Sequence, residues 1–131
     1  MATLLEDLVQ WIVDNGLCEG DGIDIFRDYL PDTPDKLICL IKYDSDLPTT
    51  KFNQSCVYYI QVVCRDVTAS GALQKATQIF NLFHRVNENV TDLPNGRWAL
   101  IYPRQAPFKI DEDEKRRVYY GFNVVITTSV N

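Results

Sequence analysis

Between Cys56 and Val86 the spacing of apolar residues changes from every second position to every third or fourth. Tyr58, Ile60, Val62 and Cys64 alternate with Val57, Tyr59, Gln61, Val63 and Arg65. That period of two predicts a strand over Cys56–Arg65, with one apolar face and one mixed face. Ala72, Leu73, Ala76, Ile79, Phe80, Phe83 and Val86 then share one side of a helix. Gln74, Thr77, Gln78, Asn81 and Arg85 lie opposite. Thr68 or Ser70 supplies the capping oxygen. About five residues separate the two patterns, a normal strand-to-helix connection. The helix is therefore expected to fold back onto a sheet that contains the strand.

The same reading extends along the chain. Thr3-Leu4-Leu5-Glu6 has the spacing of a capping box. Leu5, Leu8, Val9 and Ile12, with Trp11 at the edge, predict a helix over residues 3–15 that stops at Asn15-Gly16. A turn at Glu19–Gly22 precedes a short strand, Ile23–Arg27. Tyr29–Asp35 is a proline-pinned connection. Lys36–Tyr43 is apolar on both faces between charged ends, as a central strand is. Asp44–Gln54 and Asn87–Gly96 are polar and read as loops. Arg97–Tyr102 is a strand that Pro103 and Pro107 interrupt and Phe108–Ile110 resumes. Val118–Thr128 is the last strand, with Tyr120, Phe122, Val124 and Ile126 on one face. The expected fold is a single α+β domain over residues 1–131. Its sheet is mixed and mostly antiparallel, with four to five strands, two helices on one face and the order α-β-β-β-α-β-β.

Composition narrows the function classes. Hydrophobic residues make up 46% of the 131, so a packed core is expected rather than disorder. The first ten residues lack the pattern of a secretory signal. No apolar run approaches the roughly 20 residues that span a bilayer. A cytoplasmic protein without a membrane partner is expected. The four cysteines include no C-x-x-C pair. Cys56 and Cys64, on one strand, would lie about 26 Å apart at the strand rise per residue, too far to bridge or share a metal. They read as small buried hydrophobes.

Net charge is −5, unevenly spread. Residues 1–50 hold eleven Asp/Glu against three Lys/Arg, residues 51–96 three against four, and residues 97–131 four against six. No basic stripe marks a nucleic-acid binder. Asp111-Glu112-Asp113-Glu114-Lys115-Arg116-Arg117 is a charge run before the last strand, and reads as the exposed tip of a hairpin. Opposite charges toward the two ends of the chain would steer contacts between unlike surfaces of neighbouring copies. The candidate subunit or partner contacts are Arg104, Lys109 and Asp111, Glu112, Asp113, Glu114, Lys115, Arg116 and Arg117.

No catalytic constellation emerges. His84 is the one histidine and falls on the polar flank of its helix. There is no phosphate loop, nucleophile elbow or zinc spacing. No catalytic residue, cofactor or metal is assigned.

The stretch Ile25-Phe26-Arg27-Asp28-Tyr29-Leu30-Pro31-Asp32-Thr33-Pro34-Asp35, followed by Leu37–Ile41, resembles a family of phage minor capsid proteins. Their fold is similar to that of the tail terminators of long-tailed phages. The strand ending Arg65-Asp66, then Ala72, Ala76 and Leu82-Phe83-His84, is the second matching element. The likeness covers about residues 2–127 in element order. Asp66-Val67-Thr68 departs from it, because a glycine or an aromatic residue often begins that loop. The resemblance implies a non-enzymatic virion protein at the head–tail interface, assembled in the host cytoplasm. It implies a hexameric ring at the head-proximal end of the tail tube. Such a ring ends tube growth and meets the tail tube protein and the head connector. Two other readings compete: a small ferredoxin-like α+β binding or regulatory module, and a thiol enzyme using Cys64 with His84.

Overall fold

A computed structural model describes residues 3–46, 55–87 and 89–129. The chain runs through α1 (Leu4–Asp14), β1 (Ile25–Arg27), β2 (Leu37–Asp46), β3 (Ser55–Asp66) and α2 (Ala69–Arg85). It continues with β4 (Val90–Leu93), a 3-10 turn at Pro94–Gly96, β5 (Arg97–Pro103), β6 (Phe108–Glu112) and β7 (Val118–Ser129). One sheet takes the seven described strands in the order β1-β2-β3-β7-β5-β4, and β6 also pairs with β7. β1 runs parallel to β2; the other pairs are antiparallel.

The expectation of four to five strands in the order α-β-β-β-α-β-β is therefore corrected. β4 forms inside the Asn87–Gly96 segment assigned to a loop, because Val90–Leu93 finds Arg97–Leu100 across a tight turn. β6 is also a strand of its own, and not a resumption of β5. β5 pairs with the Val124–Thr128 part of β7, and β6 with Val118–Gly121. Between them the chain steps across Asn123. Arg104 N–H donates to the Asn123 carbonyl (2.8 Å), and Asn123 N–H donates to Gln105 Oε1 (3.1 Å). Pro103 and Pro107 bracket this step, where an unbroken ladder would need their missing N–H groups. The first strand is also shorter than expected, since Ile23 is exposed and outside β1. β2 runs on to Asp46; the rest of the assigned Asp44–Gln54 loop lies outside the described residues.

Local chemistry sets both helices. Thr3 Oγ1 accepts from Glu6 N–H (3.2 Å) and Glu6 reaches back to Thr3 N–H (3.4 Å), closing the capping box. Asn15 caps the far end, and Gly16 follows at φ +76°, a left-handed position that suits glycine. In α2 the cap is Thr68, which accepts from Gly71 N–H (3.0 Å). Both helices pack on one face of the sheet. There Leu8, Ile12, Ile79, Phe83, Phe122 and Ile126 belong to one buried cluster. The helical face is rotated slightly from the sequence reading: Leu82 is buried and Leu73 is exposed. Gly121 is required on β7, since a Cβ there would fall about 2.0 Å from the Val62 carbonyl oxygen.

The alternation read in β3 holds. Tyr58, Ile60, Val62 and Cys64 all face the helices. Cys39, Cys56 and Cys64 are buried, and all four cysteines are free thiols. Burial pushes the Cys39 thiol up to about 11 and raises that of Cys64 further. Native protein at neutral pH is thus expected to label slowly at Cys39 and Cys64, with rapid reaction of all four thiols in denaturant. Fast native labelling of both would contradict their placement in the core.

Candidate functional site

Among the described residues the other face of the sheet carries no helix, and it divides into two halves. Near the start of β2 it is covered. Leu37, Cys39 and Val63 form a second buried cluster, flanked by Phe26, Ile41, Ile110 and Tyr119. Toward the far end of β2 and β3, register places two rows of side chains on the same face. One row is Asp44, Tyr59, Val125 and Tyr102; the next is Asp46, Val57, Thr127, Leu100 and Val90. A bulge between Lys42 and Asp44 admits Tyr43, whose ring sits 6.2 Å from that of Tyr59. Tyr43, Tyr102 and Val90 are more than half exposed, at 51%, 56% and 65%. Leu100 is also exposed, while Val57, Tyr59 and Val125 are partly covered. This is a contiguous apolar and tyrosine-rich surface, of the kind that marks a contact with another molecule.

The hairpin between β6 and β7 is held down. Its turn is short because Asp111 and Glu112 belong to β6. Arg116 takes a left-handed conformation at φ +63°, and this turns Arg117 inward. The Arg117 side chain is 6% exposed and pairs with Asp113 (2.9 Å), Asp32 (3.0 Å) and Asp35 (3.3 Å). It also donates to the Asp32 carbonyl. Lys115 reaches Asp32 at 2.5 Å. From beneath, Arg65 donates to the carbonyls of Asp32, Pro34 and Asp35, with its guanidinium over the Tyr119 ring. Two buried arginines thus hold the 32–35 connection, in which the Thr33–Pro34 peptide is cis. Partial burial pushes the Asp113 carboxyl up, but hydrogen bonds from Arg117 and Tyr119 outweigh it and bring it down to about 2.

A carboxyl lowered in the folded state stabilises the fold above its unfolded value, and that contribution disappears as pH falls through the folded value. The clamp on the hairpin is thus complete above about pH 4, the unfolded Asp range, and fails toward pH 2. Arg117→Ala is expected to lower the melting temperature clearly at pH 7. Arg116→Gly is expected to leave it unchanged or raise it, because glycine accepts a positive φ. Equal melting of Arg117→Ala and wild type would contradict the clamp.

The candidate contacts of the sequence reading are thus distributed unequally. Arg117 is buried in the clamp, Asp113 is half-buried beneath it, and Lys115 is exposed but paired with Asp32. Arg104, Lys109, Asp111, Glu112, Glu114 and Arg116 are exposed. Lys109 lies 3.9 Å from Glu112. Part of the charge split between the chain's ends is neutralised within the subunit, by the Arg117 and Lys115 pairs and by a buried Arg97–Asp7 pair at 2.7 Å. The pair proposed for thiol chemistry is not assembled: Cys64 is buried in the core, while His84 is exposed on α2 and stacks on Phe80 at 5.4 Å. No helix among the described residues is long and apolar enough to cross a membrane. The tyrosine-rich half-face was not among the expected contacts; its sequence signal was the mixed face of β3, read without knowing which half the chain itself covers.

Two comparisons bear on this arrangement. A family model described as bacteriophage tail terminator protein matches residues 7–130. No curated protein matches the chain.

Proposed function

This chain belongs to the bacteriophage tail terminator family, a structural family of phage tails, and we propose that it assembles into a hexameric ring at the head-proximal end of the tail tube. There it ends tube growth and joins the tail to the head. Its partners are further copies of itself, the tail tube protein and the head connector, and its place is the head–tail interface of the virion. It works by binding alone.

The uncovered half of the helix-free face carries this reading. A subunit that leaves Tyr43, Tyr102, Leu100 and Val90 in solvent is suited to be covered by assembly. The exposed charges around the hairpin, Lys109, Asp111, Glu112, Glu114 and Arg116, offer a second surface for the tube or the connector. Charges so placed set register and encounter rate more than affinity, so docking is expected to weaken with salt. The test is light scattering of purified protein, alone and with tail tubes. Closed oligomers support the proposal; a particle of single-subunit mass under both conditions contradicts it.

A further inference from the structure

The exposed half-face is asymmetric in charge. Its β2 margin carries Asp44 and Asp46, both on the exposed side of the register. Among the described residues neither pairs with a cation; Asp46 accepts the Tyr59 hydroxyl at 2.6 Å and Asp44 accepts Ser45 N–H at 2.8 Å. Its β5 margin carries Tyr102 and then Arg104, which is exposed and likewise in no ion pair among the described residues. The two margins are three strand spacings apart, or about 14 Å. Among the described residues both are open at this level of the sheet. β1 pairs with β2 only at Ile38–Leu40, and β4 pairs with β5 only up to Leu100.

A two-fold contact that laid β2 margin on β2 margin would set carboxylates against carboxylates, and the β5 equivalent would set arginine against arginine. Like charges so placed are costly. A head-to-tail contact sets Asp44 and Asp46 against Arg104, with Tyr43 and Tyr59 meeting Tyr102. Repeated around an axis, that contact closes a ring. We propose that the two strand edges bordering this half-face make the contact between successive copies of this chain, with the Asp44–Asp46 edge of β2 in one copy lying beside Tyr102 and Arg104 on the β5 edge of the next. This rests on the ring reading above and assigns the surface that makes it.

The test is a charge exchange. Arg104→Glu in one variant, and Asp44→Lys with Asp46→Lys in another, place like charges across the contact. Circular dichroism first establishes that each variant is folded. Self-association, measured by light scattering with and without tail tubes, is expected to weaken more than about tenfold in each variant alone. An equimolar mixture of the two is expected to assemble again, because acidic and basic margins then alternate. Wild-type association of either variant would overturn the proposal, and so would a mixture that stays dispersed. In both of those results the ring reading survives on another surface. If wild-type protein itself forms no oligomer alone or on tubes, both readings fall together.

Discussion

Arg97→Met is expected to destabilise the fold by about 3–5 kcal/mol, the range for leaving a buried charge without its partner. Asp7 sits on the sheet-facing side of α1 with its side chain only 2% exposed. Its carboxylate accepts from Arg97 Nε and from Asn95 Nδ2, each at 2.7 Å. Arg97 also approaches Thr128 Oγ1 (3.5 Å) and the Ser129 carbonyl (3.4 Å), so it ties α1 to the β5–β7 ladder. Removing the guanidinium leaves a carboxylate in the core that, among the described residues, only the Asn95 amide relieves. Asp7→Leu combined with Arg97→Met should recover most of the loss, since a buried pair can often be replaced by apolar groups of similar size. Urea unfolding of the two single variants and the double variant reads this directly. If the double variant is no more stable than Arg97→Met, the cost lies in packing and not in the stranded charge.

Phe83→Ala should cost a similar amount, about 3–5 kcal/mol, as large truncations in a filled core do. Phe83 is fully buried at the point where three elements meet. Its ring is 5.3 Å from that of Trp11 on α1 and 5.6 Å, edge-on, from that of Phe122 on β7. The cavity left by alanine would open between both helices and the sheet at once. Phe80 also meets Phe122 edge-on, at 5.4 Å, but it is only partly buried and stacks outward on His84. Phe80→Ala should therefore be clearly milder. Equal losses at the two positions would contradict this account of how α2 packs.

The comparison of these two phenylalanines shows where sequence reading reached its limit. Periodicity placed both on the buried side of α2, but the depth of each depends on where the helix lies over β7. Longer patterns were legible because one element determines them: the alternation of β3, the capping box of α1, and the apolar run in β2. β4 was not legible. Its four residues stand among asparagine, aspartate, proline and glycine, and only pairing with β5 makes them a strand.

The buried ion pair left a trace at each end without revealing itself. Asp7 lies within the apolar arc of Leu4, Leu8 and Trp11, and Arg97 is in phase with Ala99 and Ile101. A sequence separation of 90 residues hid the match. A comparable sequence separation hid the fate of Arg117. Read as part of an exposed charge run, it turns inward because the 32–35 connection lies beneath it. Which half of the mixed β3 face stays open was invisible for the same reason, since the covering atoms come from remote segments.

Purified protein mixed with growing tail tubes and viewed by electron microscopy tests the central claim most directly. The account predicts a ring seated on one end of each tube, with tubes of capped length that no longer extend when more tube protein is added. Tubes that keep growing with bare ends, while the folded protein stays dispersed, would contradict it.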